Sequence, residues 1–148
     1  MRRNAEAQGV AERCHFHTGY LDSLPRETEF DAATSFLVSQ FILDPRVRIG
    51  FFKEIAARLK PAGILASSDL TARADPQQQA RLMTLWAQVL SAEPVTPQVV
   101  ARMEQAYHRD VAVLPADNVE AMIRQAGFTA PIPFFQAGMI RAWSARRD

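Results

Sequence analysis

An α/β fold with a mainly parallel sheet is predicted by three stretches of this 148-residue chain. Residues 30–38 (Phe-Asp-Ala-Ala-Thr-Ser-Phe-Leu-Val) are nearly continuous in apolar and small side chains, the pattern of a parallel strand buried on both faces. Asp44-Pro45 then opens a helical repeat, and residues 64–68 (Ile-Leu-Ala-Ser-Ser) form a second short apolar strand. Strand, helix, strand in that order implies a crossover connection, and crossovers build parallel sheets.

The remaining elements follow in chain order. Residues 2–8 read as a helix stopped at Gly9. Residues 14–20 read as a short strand with Cys14, Phe16 and Thr18 on one face and His15, His17 and Gly19 on the other. Residues 22–25 are a loop, and residues 36–43 turn into a short helix. At Asp44-Pro45 the carboxylate can cap free amides while proline at the first helical position loses no bond. Val47, Phe51, Phe52, Ile55 and Leu59 recur at helical spacing, with Lys53, Glu54 and Arg58 assigned to the surface, and Pro61-Ala62-Gly63 ends the helix. Asp75-Pro76 and Thr96-Pro97 repeat the cap-plus-proline start. The first of these helices is expected to bury Leu82, Met83, Trp86, Val89 and Leu90; the second offers Val99, Val100, Met103 and Tyr107. Pro115 starts a further helix, with Val119, Met122, Ile123 and Ala126 inward and Gly127 as its stop. Residues 132–136 and 139–143, separated by Ala137-Gly138, read as an antiparallel hairpin on the sheet edge.

Bulk properties narrow the function classes. Hydrophobic residues make up 48% and charged residues 22%, an ordinary globular composition, and the net charge of +1 names no partner. The arginines are scattered apart from a pair at each end, and no basic stripe with interleaved aromatics appears, which argues against a nucleic-acid-binding domain. The single cysteine, Cys14, excludes an internal disulfide and fits a reducing, cytoplasmic setting. No apolar run approaches the ~20 residues of a membrane span. On a parallel sheet, ligands bind beyond the carboxyl ends of the strands, which singles out residues 19–22, 35–40 and 67–70.

The stretch from Gly19 to Pro25, followed by Phe30-Asp31, resembles the middle motifs of class I S-adenosylmethionine (SAM)-dependent methyltransferases, where a Gly-Asp-x-x-x-Leu-Pro loop follows strand three and Phe-Asp opens strand four. Residues 51–65, with Leu59-Lys60-Pro61-Ala62-Gly63, resemble the helix, turn and strand five that come next. Residues 119–128, ending Gln125-Ala126-Gly127-Phe128, resemble the helix before strand six. The resemblance implies a partial Rossmann-like sheet holding family strands three to seven, in a family order of 3-2-1-4-5-7-6, with flanking helices and a C-terminal antiparallel hairpin. The glycine turn after strand one and the acid ending strand two, which hold the methionine and ribose parts of SAM in the family, have no counterpart in the chain. Residues 1–148 are therefore expected to be a single, N-terminally incomplete domain, with residues 75–110 as a helical substrate cover. SAM is the implied cofactor, bound weakly or not at all by this chain.

By the same resemblance, Gly19, Tyr20, Leu21 and Asp22 form the adenine loop. Tyr20 stands where the family has its acid, so its ring can stack but cannot replace a carboxylate; the Leu21 amide can still bond an adenine nitrogen. Asp22 either stands in for the acid or caps its own turn. Ser35, Phe36 and Leu37 match the floor at the end of strand four. Gln40 lies where many relatives carry histidine, and either orients substrate or is a plain surface glutamine. The catalytic residues and the acceptor are left open. A general base is needed only where the nucleophile must lose a proton; His15, His17 and His108 are candidates by type, although the two strand histidines with one remote cysteine make no zinc spacing. Without strands one and two, the 30–38 strand has an unpaired edge, from which a homodimer or strand-exchanged oligomer is expected. The rival reading is a non-catalytic interaction module that uses this edge.

Overall fold

A computed structural model describes residues 1–26, 29–92 and 94–148. Helix α1 (Arg2–Ala7) ends just before Gly9, whose φ of 65° suits a residue without a Cβ. The Arg2 guanidinium lies 4.7 Å from the centre of the Phe16 ring. The strand expected at residues 14–20 does not form: the backbone is extended at Cys14 and Tyr20 but joins no ladder. No strand lies alongside it among the described residues, and an isolated strand cannot satisfy its own amides and carbonyls. The stretch expected as a counterpart of family strand three therefore adds no strand to the sheet.

Strand β1 (Phe30–Phe36), helix α2 (Pro45–Ala56) and strand β2 (Leu59–Ala72) make the expected parallel crossover, in register from Ala32 against Ile64 to Phe36 against Ser68. Asp44 caps α2, accepting the amides of Arg46 and Val47 at 2.7 and 3.4 Å. The helix stops at Ala56, earlier than Pro61. Pro61-Ala62-Gly63 instead bulges out within β2, since Phe30 faces Leu59 while Ala32 faces Ile64. At Gly63 a Cβ would lie 2.8 Å from the Lys60 carbonyl oxygen, so a larger residue would push the bulge open. β2 is thus far longer than the expected 64–68. β1 ends at Phe36 rather than residue 38, because Leu37 turns the chain at φ 55° and its amide bonds the Ser68 carbonyl at 2.8 Å. A 3-10 turn, Ser39–Phe41, replaces the expected short helix.

Helices α3 (Pro76–Leu90) and α4 (Pro97–Asp110) start at their Asp-Pro and Thr-Pro caps. Strand β3 (Leu114–Pro115) pairs parallel with the end of β2, too short to show a period in the sequence. Helix α5 (Ala116–Gln125) leads to β4 (Ile132–Ala137) and β5 (Ile140–Arg146), the expected hairpin. The sheet order is β1-β2-β5-β4, with β5 antiparallel to both neighbours.

The main core joins Phe52 and Ile55 of α2, Leu59 and Leu65 of β2, and Val119, Ile123 and Trp143. The Trp143 indole donates to Glu120 at 2.9 Å, so its polar edge is satisfied. A second cluster, with Leu70, Met83, Trp86, Val111 and Met139, seats α3 against the sheet. Five expectations about burial are corrected. Val47, Val89 and Leu90 are exposed, because α2 and α3 bury narrower stripes than their apolar residues would allow. Arg58, placed at the surface by its charge, is 2% exposed. β1 buries only Ser35, with Phe36 left 53% exposed, because β1 is the margin of the sheet and not an interior strand.

Candidate functional site

Tyr20, Leu21 and Asp22 come together in a 3-10 turn (Leu21–Ser23) that lines a cleft of about 400 Å³ with Ile42, Val47 and Phe51. The turn is held from both sides. The Ser23 hydroxyl donates to the Tyr20 carbonyl at 2.7 Å and lies 2.8 Å from His17 Nε2. A Cβ at Gly19 would fall 2.5 Å from that hydroxyl, which gives glycine a packing reason to be there. From beneath, the buried Arg58 guanidinium donates to the Leu24 carbonyl at 2.7 Å and to the Glu54 carboxylate at 2.6 Å. Arg58 foremost, and Arg26 after it, hold the Glu54 carboxyl below the usual glutamate range. The Tyr20 side chain itself is 86% exposed, and the Asp22 carboxylate makes no hydrogen bond among the described residues. The capping role for Asp22 is therefore not used.

Ser35 lines a neighbouring apolar groove of about 390 Å³ beside β1, which shares Leu21 and Phe51 with the cleft. Its hydroxyl is buried without a hydrogen-bond partner among the described residues, and so is the Arg58 Nε at the same groove. Unpaired buried donors are uncommon and mark places where a partner is wanted. Phe36 and Leu37, though at the expected strand end, line neither cavity.

Gln40 is buried, and its side-chain oxygen accepts the Leu70 amide at 2.7 Å. It belongs to a polar cluster that sequence reasoning missed. Ser39 donates to Asp69 at 2.8–2.9 Å, Arg48 Nε donates to Ser39 at 3.0 Å, and Arg48 and Asp69 form a fully buried ion pair at 3.1 Å. Burial pushes the Asp69 carboxyl up; Arg48 and then Ser39 pull it back. Arg48 also donates to the Ala112 carbonyl at 3.2 Å, and Gln40 receives the Ala112 amide on its own carbonyl. The cluster thus ties the loop after β1, the end of β2 and residue 112 into one unit. The available signal was position: Arg48 sits one turn before Phe52 on the apolar stripe of α2, where a charge needs a buried counterion.

No group of three metal-ligating side chains occurs among the described residues, and no helix there is long and apolar enough to cross a membrane.

No family model matches the chain, and no curated protein matches it. Solved structures do. A protein of Bordetella parapertussis described as a possible exported protein superposes with a TM-score of 0.69 at 19% identity, over 99% of this chain and 48% of its own. The S-adenosylmethionine-dependent methyltransferase SibL gives 0.67 at 15%, over 99% and 39%. An O-methyltransferase family protein from Burkholderia thailandensis gives 0.66 at 17%, over 99% and 40%. The chain therefore shares the α/β fold of SAM-dependent methyltransferases and spans under half the length of these structures.

Proposed function

We propose that this chain is part of a methyl-transfer enzyme that uses SAM and acts on a small molecule or base. The observation that carries the reading is the strand order β1-β2-β5-β4 with its reversed β5, which corresponds to family strands 4-5-7-6. The Tyr20–Asp22 cleft supports it. About 400 Å³ with apolar walls suits a purine ring, the Leu21 amide and the unpaired Asp22 carboxylate offer the polar contacts, and Tyr20 is free to fold over the ring. Gly19 lets the turn close; Ser35 is assigned to the adjoining groove, and Phe36, Leu37 and Gln40 to the support of the β1 end and not to a wall of the cleft. Residues 75–110 are assigned as the acceptor's cover. The cofactor, when bound, supplies an already activated methyl group on a sulfonium, so the protein's task is alignment and exclusion of water.

Binding by this chain is expected to be weak, because the cleft offers contacts for the adenine end alone. Ligand-observed NMR with S-adenosylhomocysteine should give a signal consistent with a Kd of about 1 mM, lost in Leu21→Pro and reduced in Tyr20→Ala. Tight binding would overturn the weakness, and no signal from the folded chain would remove the adenine assignment.

One observation favours a second reading, self-association through β1. The strand lies at the margin of the sheet, beside an apolar groove, with Phe30 and Phe36 exposed on it. A second copy, adding its own β1, would supply strand pairing and apolar cover together. Light scattering across a concentration series should show a dimer; a monomer throughout would remove this reading.

A further inference from the structure

We propose that the cavity beneath α3 and α4 is a binding site for a small organic cation, a primary ammonium on a single-ring apolar body. This deepens the reading above by giving the covered acceptor a chemical class, and it rests on that reading only for the acceptor's role. The cavity holds about 180 Å³ at the carboxyl end of β2. A cavity of about 150 Å³ is enough for a benzene ring. Met83, Val111, Val113 and Ala72 give it apolar walls.

Its polar side comes from α4. Glu104 and His108 are one turn apart and so share a helix face. The Glu104 carboxylate is half-buried and has no ion pair or hydrogen bond among the described residues, and it is the one carboxylate lining the cavity. Tyr107 between them accepts the Trp86 indole N–H at 2.8 Å, which fixes the phenol while leaving its own proton to donate. Gln79 has its oxygen committed to the Arg73 amide at 2.8 Å, so only its NH₂ is free. The cavity thus offers one carboxylate with no ion-pair partner among the described residues and an aromatic ring beside apolar walls. That combination selects an ammonium attached to a ring over a neutral or anionic molecule.

The far wall is already rigid. Val111 and Val113 flank Ala112, whose amide and carbonyl are both held by the buried Gln40 and Arg48 described above. A ligand therefore does not have to order this wall as it binds, which favours a small molecule with few contacts.

Benzylamine is the probe. Titrated into the whole chain and followed by amide NMR shifts, it should saturate with a Kd of about 1 mM or tighter, with shifts at residues 72, 83 and 104–113. Benzyl alcohol should bind at least tenfold more weakly, and benzoate should not bind. Glu104→Gln should lower benzylamine affinity at least tenfold with an unchanged thermal midpoint, and Tyr107→Phe should lower it less. Equal affinity for the amine and the alcohol, unaltered binding in Glu104→Gln, or no shifts in this region would overturn the proposal. The S-adenosylhomocysteine signal at residues 20–22 is read separately, so loss of either result leaves the other interpretable.

Discussion

The two margins of the sheet are built differently. β4 carries Pro133, which has no N–H to offer a neighbour, and an extra residue between Pro133 and Phe135 that breaks its pairing line. Both are devices by which a strand resists adding another strand, and they accompany the exposed Ile132, Phe134 and Phe135. β1 has neither. Its own residues 32–36 run in unbroken register along β2, its irregularity lies in the bulge of its partner, and its surface is Phe, Ala and Thr beside an apolar groove. The contrast teaches that exposure alone does not define a docking edge. One margin is finished as a boundary, and the other has the character of an interior strand.

The largest expected effect comes from the anchor of the β1 end. Arg48→Met leaves Asp69 buried without its cation, and breaking a buried pair in this way costs about 3–5 kcal/mol. Denaturant unfolding should show that loss. Amide exchange should rise first at residues 37–42 and 111–113 while 132–137 stays unchanged, since β4 does not share the cluster. Equal opening at both margins would erase the contrast.

An intermediate effect tests the margins directly. Thr34→Lys in β1 should abolish any concentration-dependent dimer in light scattering, whereas Phe134→Lys in β4 should leave it intact. The reverse outcome would assign the interface to β4.

The smallest effect concerns acid. Glu54 is held below the usual glutamate range by Arg58 and Arg26, so its contribution to stability is present above the ordinary glutamate range and lost as pH falls through the lowered value. Glu54→Gln should remove that part of the acid dependence and change stability at neutral pH by about 1 kcal/mol or less. An unchanged acid profile would show that this ion pair does not secure the turn below the cleft.

The helix starts and the hairpin were legible because their causes are local. Asp44-Pro45, Asp75-Pro76 and Thr96-Pro97 each begin a helix where the cap and proline require one. The hairpin was legible from Ala137-Gly138 between two apolar runs. Three features were hidden because their causes are distant in sequence. Pro61-Ala62-Gly63 looks like a terminator, yet β1 holds both sides of it in one strand. Arg48 and Arg58 look like surface residues until Asp69, 21 positions on, and the Leu24 carbonyl, 34 positions back, provide for their charge. Residues 14–20 alternate like a strand, but alternation does not provide a pairing partner. In the site, the turn at residues 19–22 followed from local motif and came together as a cleft. Gln40 did not, since the Leu70 amide it holds lies 30 residues away.

Gly138, at the tip of the β4–β5 hairpin, has a consequence for how this chain can vary. A Cβ there would sit 2.6 Å from the Trp86 ring, so the tip is pressed against α3. Hairpin tips are ordinarily where added residues and new chain termini are tolerated. This one is closed to both: a loop inserted at residue 138 would have to lift the indole, and with it the helix that roofs the cavity. The hairpin tip is thus a fixed dimension of the fold.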